Sequence, residues 1–413
     1  MDVKIIPSRL FGAVETPSSK SVAHRMLICA ALCDGTSKIS GVTMSKDISA
    51  TIGALTAIGA KIDVFGGEIT VKGISLPQEN ADIDCIESGS TLRFLIPVAA
   101  ALGINARYFG QGKLPERPIT PYLRELSQKN ISFNYNGTMP FTTSGKLSSG
   151  EFCLEGDISS QFITGLLFAL PILQGNSRIK MLSPLQSKPY VDITIDCLKK
   201  FGVKVSEITD GYEILGGQSF FPTDEKVEGD FSQAAFFYVA NALGSKIDIK
   251  NIPQKSFQGD KKILEILKKI CYNDLISKFN AFSVDVSSIP DLVPILAVLG
   301  CFGNGISKIT NASRLRLKES DRLFATTSAL NSIGGNIEIS ADELIIHPIE
   351  AFCGGTADSF NDHRIVMALA IASTKSTAPI VIKNAQAVEK SYPNFFDDFN
   401  KLGGISNVIN LEP

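Results

Sequence analysis

Residues 314–322, RLRLKESDR, crowd cations and carboxylates into one short stretch of a chain that is otherwise nearly neutral. Arg314, Arg316 and Lys318 alternate with Leu315 and Leu317, and that alternation predicts a strand with one cationic face. Glu319 and Asp321 follow, where acidic residues favour the first turn of the next helix. Like charges on one strand face repel unless an anion lies against them, so the stretch points to a bound anion, with a solvated charge ladder as the alternative.

Other stretches carry the same chemistry. In TPSSKSVAHR (16–25) a loop enters a helix with Lys20 and Ser21, and Arg25 lies about one turn further on. These could hold a phosphate or carboxylate, although caps alone explain the serines, and the glycine spacing of a P-loop is absent. In ESGSTLRF (87–94) Gly89 lets the backbone approach a ligand, and Arg93 in an apolar helix needs a partner from protein or ligand. GKLPERPIT (112–120) sets Lys113, Glu116 and Arg117 among prolines, as a solvated turn or an anion contact. SSQF (159–162) and QSKPYVD (186–192) offer Ser159, Ser160, Gln161, Ser187 and Tyr190, which suit a polyol or serve as caps and turns. Asp291, among apolar residues in IPDLVPIL, either caps a helix or faces a substrate hydroxyl as a general base. NDHR (361–364) and EKSYP (389–393) add His363, Arg364 and Lys390, with His363 a proton carrier or a structural histidine. Taken together, these residues suit two anionic substrates joined by acid–base chemistry.

The elements that must position them recur along the chain. A small or polar cluster opens an apolar helix near residues 18, 88, 158, 230, 287 and 360, at spacings of 70, 70, 72, 57 and 73 residues. These helices are apolar nearly all round and should be buried. After several of them an amphipathic helix ends in Gly and turns into an alternating strand, as in LTAIGAKIDV (55–64), LKKFGVKVSE (198–207) and LNSIGGNIEI (330–339). Six such units divide into three and three, with a boundary expected near 219–228, and the segment before Ser18 is expected to pair with the second half.

The length of 413 residues suits about two domains, and 44% apolar with 20% charged residues is a globular composition. A net charge of −2 gives no basic field for nucleic acid. No apolar run reaches the roughly 18–20 residues that span a bilayer, and the N-terminus shows no secretory signal. The eight cysteines form no C-x-x-C pair, and with three histidines this disfavours a zinc site. Their apolar surroundings predict buried, reduced thiols in a cytoplasmic protein.

The ordered set SSKSVAHR, ESGSTLRF, ERPI, GDISSQF, SKPYVDIT, IPD, LRLKESDRL, NDHR and EKSYP, from about residue 5 to 400, resembles the 3-phosphoshikimate 1-carboxyvinyltransferase (EPSP synthase) family of enolpyruvyl transferases. The resemblance implies an α/β fold, an inside-out α/β barrel of two domains. Each would hold three βαβαββ units, residues 19–224 in one and 1–18 with 225–413 in the other, with the active site in the cleft between them. It implies transfer of the enolpyruvyl group of phosphoenolpyruvate to the 5-hydroxyl of shikimate 3-phosphate through a tetrahedral intermediate, with domain closure on binding. It further implies a cytoplasmic monomer with no cofactor, metal, nucleic acid or membrane partner.

Matched position by position, the resemblance gives Lys20, Ser21, Arg25, Ser159, Ser160, Gln161, Ser187, Tyr190, Asp291 and Lys318 to shikimate 3-phosphate. It gives Lys20, Gly89, Lys113, Gln161, Arg322, Arg364 and Lys390 to phosphoenolpyruvate. Asp291 would take the proton from the 5-hydroxyl, Glu319 would protonate the methylene, and Lys20 would touch both substrates. Two positions depart from the usual pattern: Lys113 stands where Arg is usual, and Glu87 where Asn is common. The sister enzyme acting on UDP-N-acetylglucosamine shares fold and donor, but it carries a reactive Cys in the loop that here reads GKLPERP. A non-catalytic anion-binding protein would be expected to lack Asp291 or Glu319.

Overall fold

Polar caps start the buried helices. Ser19 and Ser88 accept from the N–H groups of Val22 and Thr91 at the head of helices Lys20–Ala31 and Gly89–Leu102. Ser159 caps Ser160–Ala169, Asp230 caps Phe231–Ala242 and Asp362 caps His363–Ala372. Each side chain satisfies an N–H that a first helical turn leaves without a partner. The fifth start differs: Pro290–Leu292 is a 3₁₀ turn with no side-chain cap, running into helix Val293–Gly300. Asp291 therefore does not cap a helix, and its carboxylate is committed elsewhere.

This computed structural model describes residues 1–270 and 279–410. It falls into two units, Ser18–Glu228, and Met1–Pro17 with Gly229–Pro413, here called the continuous and the split unit. The βαβαββ pattern recurs with one sheet order. Asn80–Asp84 pairs parallel with Asn105–Phe109, which pairs antiparallel with Phe141–Gly145, and Ile131–Asn134 forms the far edge. Strands Glu151–Leu154, Ser177–Met181, Gly211–Ile214 and Ser206–Ile208 repeat this order, as do Ser283–Asp285, Ser307–Thr310, Glu343–Ile346 and Ile337–Ser340.

Distant segments join three of the sheets. Glu225–Lys226, at the end of the continuous unit, supplies the parallel edge beside Thr36–Ser40. In the split unit Asp2–Ile6 lies between Ile380–Lys383 and Ile405–Asn410, and Phe11–Glu15 pairs with Lys246–Lys250. The chain start thus pairs with strands of the second half. The amphipathic helices end as expected, with Gly59, Gly202 and Gly334 at φ of +118°, +83° and +97°.

Helices Phe231–Ala242, Val293–Gly300 and His363–Ala372 pack pairwise inside the split unit. In the continuous unit Gly89–Leu102 packs on Ser160–Ala169. Gly165 allows that approach: a Cβ there would overlap the Tyr122 hydroxyl and the Arg93 carbonyl oxygen. The backbone cannot yield as a flexible side chain would, so Gly165→Ala should cost about 1–3 kcal/mol, read as a lower denaturant midpoint at unchanged m.

Two expectations fail here. Residues 313–317 form a 3₁₀ helix, Ser313–Leu317, and not a strand. Leu315 is buried while Leu317 is 48% exposed, so five alternating residues had no sheet face to obey. Among the cysteines, Cys353 is exposed and Cys153 half-buried, whereas Cys29, Cys33, Cys85, Cys197 and Cys301 are buried; Cys271 lies outside the described residues. No helix among the described residues is long and apolar enough to cross a membrane.

Candidate active site

In the continuous unit the head of helix Lys20–Ala31 is held from three sides. Lys20 Nζ lies 2.6 Å from Asp47 Oδ2. Arg25 donates to Thr194 Oγ1 at 2.8 Å, to the Tyr190 carbonyl at 2.9 Å and to the Ser21 carbonyl at 2.6 Å. Burial lowers the Arg25 guanidinium to about 10. The anion that a cationic helix start requires is thus supplied in part from within the unit, by Asp47. Ser187 sits in the left-handed region at φ +55°, just ahead of helix Lys188–Lys200, and Tyr190 follows in that helix.

A second group surrounds Gly89. Arg93 donates to Gln161 Oε1 at 2.7 Å and to the Pro118 carbonyl at 3.2 Å, and Gln161 Nε2 donates to Ser90 Oγ at 3.0 Å. A Cβ at Gly89 would overlap the Arg117 guanidinium and come within 3.4 Å of that of Arg93. Two guanidiniums beside one glycine at a helix start have the chemistry to hold an anion. Arg117 Nε is buried with no hydrogen-bond partner among the described residues. Lys113 is exposed on the same loop. The structure brings Arg117 to Gly89, where the residue-by-residue match had put Lys113. The signal was in the sequence, in the Arg of ERPI.

The split unit gathers the carboxylates. Arg322, 0% exposed, donates to Asp362 Oδ2 at 2.9 Å, Asp291 Oδ1 at 2.9 Å and Glu319 Oε2 at 2.6 Å. Arg364 reaches Asp291 Oδ2 at 2.9 Å and Ser232 Oγ at 3.1 Å, and Lys318 Nζ lies 3.6 Å from Asp291 Oδ1. Burial alone would raise the Asp291 carboxyl, but Arg364, Lys318 and Arg322 overcome it and hold it well below the usual carboxylate range. Burial and the neighbouring arginines lower Lys318 against the pull of Asp291 and Glu319. Burial also opposes the charge on Arg322, yet its three carboxylates raise it further above an ordinary guanidinium.

The remaining cations of RLRLKESDR turn to separate partners, Arg314 to the Ser287 carbonyl at 2.8 Å and Arg316 to Asp321 at 3.0 Å. Asp321 is the cap of helix Arg322–Asn331 and Glu319 precedes it. Lys390, in the EKSYP stretch, donates to the Asn361 carbonyl at 2.7 Å, next to the Asp362 cap.

Sequence reasoning missed Asp260, which lies buried in the turn Gly259–Lys261. Burial and then Asp291 push it up to about 7, with Asp230 adding and Arg364 and Lys318 opposing. Its folded value exceeds the unfolded value of about 3.9. The stability it contributes is therefore full below about pH 4 and is lost as pH rises through about 7. Asp260→Asn should flatten the Tm–pH profile over that window and melt above wild type at pH 8; an unchanged slope would refute this.

Comparison with known proteins bears on the whole chain. The family profile described as EPSP synthase (3-phosphoshikimate 1-carboxyvinyltransferase) matches residues 5–399. Proteins named 3-phosphoshikimate 1-carboxyvinyltransferase from Clostridium kluyveri and Clostridium novyi are 47% and 46% identical. The alignments cover 97% of both chains in the first case and 98% in the second. A solved structure of EPSP synthase from Acinetobacter baumannii superposes with a TM-score of 0.82 at 24% identity, over 98% of this chain and 100% of that one. That likeness speaks to the fold.

Proposed function

The chain belongs to the EPSP synthase family, and on that premise we propose how its residues divide the work. The family's reaction moves the enolpyruvyl group of phosphoenolpyruvate to the 5-hydroxyl of shikimate 3-phosphate and releases phosphate. In our reading Lys20, Ser21, Arg25, Ser159, Ser160, Gln161, Ser187 and Tyr190 hold shikimate 3-phosphate. Gly89, Arg93 and Arg117 receive phosphoenolpyruvate, with Arg364 and Lys390.

The observation that carries the mechanism is the shared guanidinium of Arg322, which fixes Asp291 and Glu319 at 2.9 and 2.6 Å. Glu319, in its protonated form, delivers a proton to the methylene carbon and leaves C2 electrophilic. Asp291 takes the 5-hydroxyl proton as that oxygen attacks C2. In the tetrahedral adduct the new methyl returns its proton to the Glu319 carboxylate as the C–O bond to phosphate breaks, and the proton held by Asp291 leaves with the phosphate. Asp291 by itself is a weak base, because three cations stabilise its charge. Two anionic substrates partly neutralise those cations, so binding restores basicity to Asp291 when it is needed.

The test is phosphate release from phosphoenolpyruvate with shikimate 3-phosphate as acceptor, for wild type and Glu319→Gln. Acceptor-dependent release that falls at least about a hundredfold in the variant supports the assignment; full activity in the variant removes Glu319 from the mechanism. The reading also has the enzyme acting as a cytoplasmic monomer. Sedimentation at the mass of one 413-residue chain is the expected result.

A further inference from the structure

Two rungs join helices Lys20–Ala31 and Lys46–Ala57. Lys20 meets Asp47 at 2.6 Å, and one turn on, His24 Nδ1 meets Thr51 Oγ1 at 2.7 Å. The second rung continues. Thr51 Oγ1 lies 2.7 Å from Thr91 Oγ1, which donates to Ser88 Oγ at 2.8 Å, and the Thr91 N–H reaches the same oxygen at 3.1 Å. His24, Thr51, Thr91 and Ser88 are all at most 1% exposed. A chain of short, direct hydrogen bonds runs from the helix carrying Lys20 to the cap of the helix that begins at Gly89.

Proton counting orients it. Thr91 spends its hydroxyl proton on Ser88, so Thr51 must donate to Thr91. Thr51 then has only its lone pairs for His24, and the imidazole carries its proton on Nδ1. His24 Nε2 is buried and has no hydrogen-bond partner among the described residues. A second proton would have no acceptor there. Burial first, then Lys20 and Arg25, hold the imidazole well below its ordinary value.

We propose that His24, Thr51 and Thr91 are positioning residues that set the start of helix Gly89–Leu102 against Lys20, and so shape the phosphoenolpyruvate pocket while leaving the anchors of Lys20 and Arg25 in place. The asymmetry follows from the partners. Arg25 is anchored by Thr194 and Tyr190 and Lys20 by Asp47, none of which needs the relay. The Ser88 cap and Gly89 stand at its end.

The proposal rests on the assignment of the Gly89 pocket to phosphoenolpyruvate, which Gly89→Ala checks separately: an unchanged KM for phosphoenolpyruvate would overturn that assignment itself. With it standing, Thr51→Val and Thr91→Val should each raise that KM about five- to tenfold. Their kcat should stay within about twofold of wild type, and their KM for shikimate 3-phosphate should rise less than that for phosphoenolpyruvate, because Gln161 follows this helix through Ser90 and Arg93 while Lys20 and Arg25 keep their own anchors. His24→Asn, whose amide N–H can stand in for Nδ1–H, should recover most of the wild-type KM. His24→Gln, whose amide reaches the Nε2 position, should behave like the valine variants. Equal rises in both KM values, no rise in either, or identical behaviour of His24→Asn and His24→Gln would overturn it. If the valine variants fail to fold, the wild type still decides. With three histidines in the chain, nitrogen NMR of labelled protein, assigned by difference from His24→Asn, should show His24 as the Nδ1–H tautomer near neutral pH, and the Nε2–H form would refute the relay.

Discussion

Asp291→Asn should lower kcat by about 10²–10⁴-fold while the protein still binds both anionic substrates. The amide keeps the shape of the carboxylate and can still accept one hydrogen bond, so Arg322, Arg364 and Lys318 stay near their places. What it loses is the charge and the capacity to take a proton. Those three cations lie 2.9, 2.9 and 3.6 Å from the carboxylate. With that charge gone they face the substrates with less internal competition. Dissociation constants by calorimetry, measured beside phosphate release, should therefore hold steady or tighten as turnover collapses. If affinity and turnover fell together, Asp291 would be an organiser of the cations and some other group the base. If turnover survived, the proton would leave by another route.

Arg117→Ala should raise the KM for phosphoenolpyruvate by about a hundredfold or more, whereas Lys113→Ala should change it by less than about threefold. Removing a guanidinium that pairs with a desolvated anion costs about 2–5 kcal/mol, and each 1.4 kcal/mol is tenfold in an equilibrium constant. An exposed lysine acting across solvent is worth about a kcal/mol or less. The two residues stand four apart on one loop, and only Arg117 would collide with a Cβ on Gly89. Steady-state kinetics with phosphoenolpyruvate varied at saturating shikimate 3-phosphate separates them. The reverse ranking would mean that the loop rearranges when substrate binds, and would return the contact to Lys113.

The amino-acid sequence by itself determined the repeat. Helices that are apolar all round can only be buried, polar caps mark where they start, and Gly after the second helix marks where it turns. Those signals are local, so the spacing near 70 residues and the six helix starts could be read directly. The motif set pointed to candidate site residues for the same reason, since most lie at a helix start or tight turn whose chemistry a few neighbours define.

Only the tertiary structure decided which of those residues work together. RLRLKESDR alternates for five residues, too few to distinguish a strand from a 3₁₀ turn without a sheet to join, and its cations part toward Ser287, Asp321 and Asp291. Whether Asp291 capped a helix or faced three cations depended on Arg322 and Arg364, which are 31 and 73 positions away. Asp260 looks in sequence like any acid in a turn, and its proton affinity comes from burial beside Asp291. Charge and burial at a site are sums over neighbours that the chain brings together from afar. Periodicity and caps reveal the elements, but an electrostatic environment exists only once they are packed.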